Sequence, residues 1–268
     1  MTVEALLQNL WEDYTRLAPG AKRLHDQVEA EGETIVNDHI AFRTFNTVPI
    51  NLEALERHVL DLGYRRFAPY TFEDKKLRAM GYHHPAGHPR IFLSELETEK
   101  LSPLVQRVAR DLAAQVDPAR VADPSILWAG RLWQPISHET YLALLSESEY
   151  AAWVAAIGLR ANHFTISVND LRKFNTLEKL LDFLEGKGWR LNTAGGRIKG
   201  SPDVLLEQGS TMADTMEIEF AGGERHRIPT CYYEFARRYP DAGGRLYEGF
   251  VAASADRIFE STNVHVAA

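Results

Sequence analysis

The feature that most constrains this chain is an internal repeat. Residues 38–45 followed by 51–65 reappear, weakly disguised, as residues 162–169 followed by 176–190. His39 and His163 lie 124 positions apart, while Asn51 and Thr176, Gly63 and Gly188, and Tyr64 and Trp189 each lie 125 apart. A single insertion accounts for the difference. Each copy opens with an alternating run, Ile40 and Phe42 or Phe164, Ile166 and Val168, which predicts a strand. Asn51 or Thr176 then stands where a helix cap belongs. Leu52, Leu55, Val59 and Leu62 form one apolar stripe of helical period, and Leu177, Leu180, Leu181 and Leu184 form the other. A glycine ends each helix, as a left-handed C-cap requires.

More strands are expected in each copy. In the first, residues 77–83 and 90–96 flank the turn signal around Pro85 and Gly87. In the second, residues 216–220 and 227–235 flank Gly222 and Gly223. Both copies therefore read β-α-β-β-β. The fold expected is α+β, with two βαβββ modules forming one curved mixed sheet around a shared cavity. The segments expected are a helical N-terminus over residues 1–30, a first module over 31–98, a helical connector over 99–158, a second module over 159–240 and a C-terminal segment over 241–268. Pro19 interrupts the first segment, and Pro118, Pro124 and Pro135 break the connector.

A chain of 268 residues can bury a full core without crosslinks, and its one cysteine, Cys231, reads as a small buried residue. The net charge of −7 lacks the basic footprint of a nucleic-acid binder. The longest apolar run, about residues 151–159, is too short to span a bilayer, and no signal-peptide pattern opens the chain. A cytoplasmic protein is the expectation.

Side chains alternate faces along a strand, so His39, Ala41 and Arg43 share one face while Ile40 and Phe42 take the core. His163, Thr165 and Ser167 do the same in the second copy. Two histidines at equivalent places in two repeats converge on one cavity if the repeats pack about a pseudo-twofold, and neutral imidazole is a common metal ligand. A carboxylate is the natural third ligand, as in the two-histidine-one-carboxylate triads that leave open positions on Fe(II). Glu234, a lone acid between Tyr233 and Phe235, is the leading candidate, with Arg237 or Arg238 as its alternative partner. Glu217 and Glu219 are rivals whose alternation reads as a solvated face. Arg43 suits either an anion clamp or a surface salt bridge. His83, His84 and His88 sit in a hairpin and read as solvated.

With these residues in view, the chain resembles vicinal oxygen chelate proteins and, more narrowly, the 2-oxoadipate dioxygenase/decarboxylase family. The resemblance spans about residues 20–263. It is carried by Asp38-His-Ile-Ala-Phe-Arg43, Ala161-Asn-His-Phe-Thr165, Gln208-Gly-Ser-Thr-Met-Ala-Asp214, Ile228-Pro-Thr-Cys-Tyr-Tyr-Glu-Phe-Ala-Arg237 and the tail from Tyr247 to Ser261. The Tyr-Tyr-Glu-Phe-Ala-Arg run is also similar to the last metal-binding strand of 4-hydroxyphenylpyruvate dioxygenase. The resemblance implies Fe(II) held by His39, His163 and Glu234, with Arg43 on a substrate carboxylate and Gln208 and Ser210 as further substrate contacts. The implied partners are a small 2-oxo acid and dioxygen, and the implied reaction turns 2-oxoadipate into 2-hydroxyglutarate. Two departures stand out: the chain is short for the family, and Gly209 stands where a serine is expected. The alternatives are a glyoxalase-like isomerase or lyase, with Glu95 or Glu97 as a fourth ligand, and a metal-free binding module.

Overall fold

A computed structural model describes residues 1–262, so the last six residues of the expected C-terminal segment, 263–268, lie outside the described residues. The N-terminal stretch forms α1 (Val3–Leu17) and α2 (Pro19–Ala30), broken at Pro19, whose missing N–H is harmless at a helix start. The first repeat forms β1 (Asn37–Phe45), α3 (Leu52–Asp61), β2 (Arg65–Phe72), β3 (Leu77–His83) and β4 (Arg90–Leu96). The connector holds α4 (Pro103–Ala113), α5 (Pro118–Val121), α6 (His138–Glu147) and α7 (Glu149–Ile157). Pro118 and Pro124 do more than break it: each opens a short helical turn capped by Asp117 or Asp123.

The second repeat forms β5 (Ala161–Ser167), α8 (Leu177–Gly186), β6 (Lys199–Ser201), β7 (Leu206–Ser210), β8 (Thr215–Glu219), β9 (Arg225–Pro229) and β10 (Tyr232–Arg238). A last helix, α9 (Ala252–Ile258), runs into a 3₁₀ turn over Phe259–Thr262. Eight strands make one mixed sheet in the order β2-β3-β4-β1-β5-β10-β7-β6. The duplication is visible in that order. Antiparallel β1 and β5 meet at the seam, each is flanked outward by a parallel partner, β4 or β10, and the remaining strands follow in matching sequence.

Two strand expectations for the second repeat need correction. The hairpin β8-β9 is real but forms its own two-stranded sheet. The expected single strand over residues 227–235 is two strands, parted at Thr230, whose N–H and hydroxyl both turn to the Asp214 carbonyl. The strands that fill the module are β6 and β7. They escape a periodicity reading because β7 is buried on both faces and carries Gln208 and Ser210 inward, so no polar-apolar alternation marks it.

Local chemistry explains both helix starts and stops. Gly63 and Gly188 adopt φ of 93° and 84°, the left-handed stop expected of them. Thr176 caps α8 through Lys179 N–H. Asn51 does not cap α3; its amide turns to Glu53, and the Glu95 carboxylate accepts from Leu52 N–H at 2.6 Å instead. The four leucines of the α8 stripe are fully buried, each contributing roughly 1.5–3 kcal/mol. Behind the seam, Trp11 and Tyr14 of α1 pack on Phe164 and Tyr233, and the Tyr14 hydroxyl donates to the Tyr232 carbonyl at 2.5 Å. That layer leaves the opposite face of β5 and β10 free for polar groups.

Candidate metal centre

On that opposite face His39 of β1, His163 of β5 and Glu234 of β10 converge, all three buried, with candidate ligand atoms within 4.8 Å of one another. Register explains the convergence. Ala41 pairs with His163 and His39 with Thr165 across the seam, and Thr165 pairs with Glu234. His163 Nε2 is 3.1 Å from Glu234 Oε2, and His39 Nε2 is 3.6 Å from Oε1. An ion about 2.1 Å from each ligand would hold neighbouring ligands at a similar spacing, about 3 Å.

The surroundings prepare these groups to hold a cation. Asp38 Oδ1 lies 2.7 Å from His39 Nδ1, and Asn162 Oδ1 lies 3.1 Å from His163 Nδ1. Each acceptor draws the ring proton to Nδ1 and turns the Nε2 lone pair toward the cavity, the arrangement that orients metal-binding imidazoles. Burial lowers the pKa of His163, favouring the neutral ring that a metal needs. Burial opposes ionisation of Glu234, yet facing His39 and His163 and accepting from Gln208 together hold its carboxyl below the ordinary range. The space between this carboxylate and the two Nε2 atoms favours a positive charge, a ring proton or a cation, and two imidazoles with one carboxylate fit a divalent ion.

Arg238 is not the partner of Glu234. It grips Asp38 through Nε and Nη2 at 2.7 and 2.8 Å, and its Nη1 donates to the Tyr247 and Gly249 carbonyls. Arg43 is not a surface salt bridge either. Its guanidinium is buried, bonded to Glu149 Oε1 at 2.9 Å and to Thr262, and caged by the rings of Tyr150, Trp153 and Phe259. Gln208 donates to Glu234 Oε1 at 2.6 Å, and Ser210 meets Ser261 at 2.9 Å. Around this space the side-chain atoms Arg43 Nε, Gln208 Oε1 and Tyr232 Oη are buried without a hydrogen-bond partner among the described residues. Such groups are costly to leave unmet and mark where a ligand belongs.

The remaining sequence candidates fall elsewhere. Glu217 and Glu219 are exposed on the outlying hairpin, His84 lies against the Leu62 carbonyl, and Glu97 pairs with Lys100. Glu95 is spent on α3 and Arg78. The pseudo-symmetry shows why no fourth ligand comes from β4: the register that puts Glu234 opposite Thr165 puts Phe92 opposite Ala41, so Phe92 is the counterpart of Glu234 and lines the cavity. Gly209 faces away from the site. A Cβ there would sit 3.3 Å from Leu181 of α8.

Sequence reasoning missed two contributors. Phe250, Ala255, Ile258 and Phe259 of the C-terminal segment cover the cavity, leaving about 20 Å³ of free space. The tail motif hinted at this segment but not at where it folds. Lys199, 3% exposed, stands on β6 directly opposite Gln208, and burial lowers its pKa to about 8. Nothing in its local sequence marks it.

Paired βαβββ modules around an inward-facing His-His-Glu cluster able to hold a metal define a protein of the vicinal oxygen chelate class. Comparison with known sequences narrows this: the profile of the 2-oxoadipate dioxygenase/decarboxylase family matches residues 2–127 and 125–245, and the chain belongs to that enzyme family. It is 36% identical to the chloroplastic 2-oxoadipate dioxygenase/decarboxylase of Arabidopsis thaliana over 93% of this chain and 74% of that protein. Among solved structures, the hydroxyglutarate synthase of Oryza sativa in complex with 2-oxoadipate superposes with a TM-score of 0.92 at 32% identity, covering 98% of this chain and 92% of that one. A protein from Shewanella frigidimarina described as a putative hydrolase superposes at 0.89 with 49% identity, covering 94% and 98%. Among the described residues no helix is long and apolar enough to cross a membrane.

Proposed function

We propose that the chain oxidatively decarboxylates 2-oxoadipate, consuming one dioxygen and releasing carbon dioxide and 2-hydroxyglutarate, with His39, His163 and Glu234 holding Fe(II). The carboxyl carbon next to the ketone leaves as carbon dioxide. One oxygen atom completes the new carboxylate at the former keto carbon, and the other becomes the hydroxyl on its neighbour. Iron, when bound, supplies open positions for a chelating 2-oxo acid and dioxygen, and the electrons that activate the latter. The single observation that carries this reading is the triad itself: three ligands from both halves of the sheet, with Phe92 where a fourth would stand. That phenylalanine also counts against the glyoxalase-like alternative.

The chain's own residues do the rest. Arg43, fixed by Glu149, pairs with a substrate carboxylate. Gln208 holds Glu234 in place, and with Ser210 it offers polar contacts to substrate. Phe92, Phe250, Ile258 and Phe259 keep water out. The free space suits an ion or a water rather than a six-carbon diacid, so the covering segment moves outward as substrate arrives.

Protein purified without chelator is expected to contain about one iron per chain, and an oxygen electrode is expected to record uptake dependent on 2-oxoadipate, with carbon dioxide and 2-hydroxyglutarate in equal amounts. Protein that binds no metal, or uptake indifferent to 2-oxo acids, would overturn the proposal.

A further inference from the structure

Beside Gln208, a residue that lines the cavity, stands a buried cation that the reaction as written does not use. Lys199 opens β6, opposite Gln208, which is itself opposite Ala236 of β10. Opposed residues share a face of the sheet, so Lys199, Gln208 and Glu234 all stand on the metal side. Lys199 Nζ donates to the Asn192 carbonyl at 2.5 Å, and among the described residues no carboxylate lies within ion-pair distance of it; Glu234 acts on it from farther away. The other two cations buried at this site are matched, Arg43 by Glu149 and Arg238 by Asp38. A buried ammonium without a counter-ion is costly unless an anion joins it.

Charge balance says which anion. Once the two matched pairs are set aside, a divalent ion, Glu234 and Lys199 together leave two positive charges. A dianionic substrate neutralises them, and a monoanion does not. The reach also fits. Two inter-strand steps, about 10 Å in all, separate β6 from β10. A six-carbon 2-oxo diacid carries its far carboxylate four bonds beyond the ketone, and the four-carbon lysine stem covers the remainder. We propose that Lys199 is a specificity-determining residue that binds the distal carboxylate of a dicarboxylic 2-oxo acid, leaving the chelating carboxylate to Arg43.

This rests on the function proposed above, and the test separates the two. Oxygen uptake is measured with 2-oxoadipate and with 2-oxohexanoate, its monocarboxylic analogue of equal length, in wild type, Lys199→Gln and Lys199→Met. The glutamine keeps a donor for the Asn192 carbonyl while removing the charge. A charge-assisted hydrogen bond is worth roughly ten- to a hundredfold. Wild type is therefore expected to favour 2-oxoadipate by at least about that factor in kcat/KM. Both variants lose most of the preference through KM for the diacid, with iron content retained and a far smaller loss on 2-oxohexanoate. Equal losses on both substrates, an unchanged preference in the variants, or collapse of the preference in Arg43→Met instead would overturn the proposal. If neither variant folds, the wild-type preference decides: its absence overturns the assignment and its presence supports it. Wild type inactive on every 2-oxo acid would instead remove the underlying functional reading.

Discussion

Replacing His163 by alanine is expected to abolish metal retention and with it oxygen uptake. On the function proposed here the imidazole is one of three ligands, and its Nε2 is 3.1 Å from the carboxylate that would share the ion. Removing a residue that only orients a ligand typically costs 10- to 100-fold in metal affinity, so removing the ligand itself should cost more than about 100-fold. Metal analysis after dialysis, together with iron titration of the apoprotein, measures this directly. His163 also stacks on Tyr232 with ring centroids 4.6 Å apart, so a thermal melt of the apoprotein is the control for local collapse. Iron retained at wild-type affinity in a folded His163→Ala protein would remove the metal from this site.

Asp38→Asn is expected to do comparable damage by another route. Asp38 accepts two bonds from Arg238 and one from His39 while almost fully buried. Losing its charge strands Arg238 in the interior, and breaking a buried ion pair from one side typically costs about 3–5 kcal/mol. Urea unfolding at neutral pH measures that loss. The altered hold on His39 should weaken metal binding by a further factor of about 10–100. The pH dependence has a definite sign. Burial alone would raise the Asp38 pKa, but Arg238 and His39 hold it far below the ordinary carboxylate value. Its contribution is therefore fully present above the unfolded-state value near 4 and is lost progressively as pH falls below it. Wild type should lose stability more steeply than Asp38→Asn below about pH 4; parallel curves would show that the ion pair contributes nothing.

The repeat made much of this architecture legible, because a duplicated β-α signature constrains two modules at once and two matched histidines constrain how they meet. The triad was readable for the same reason: Glu234 stands out as a lone acid in an apolar run. What stayed hidden has a common cause. β7 is buried on both faces, and Lys199 is the one buried side chain of the short strand β6, so the polarity there belongs to the interior rather than to an exposed surface and mimics a turn. Asn51 looks like a cap, but Glu95, distant in sequence, reaches Leu52 N–H in its place. Arg43 and Arg238 could be ranked as cations but not assigned partners, since Glu149 and Asp38 lie 106 and 200 residues away from them.

The pairing of Phe92 with Glu234 across the pseudo-twofold carries a stereochemical consequence. A site with the same residue at both positions would offer an incoming molecule two equivalent directions of approach. With an acid on one side and a benzyl ring on the other, only one remains. Any chiral cavity makes the two hydrogens on the carbon beside the ketone inequivalent; the acid and the ring settle which end of the substrate faces which module, and on the reaction proposed here the hydroxy acid should leave as a single enantiomer. Chiral chromatography of the product reads that handedness, and a racemic product would mean that the substrate is not held in one pose.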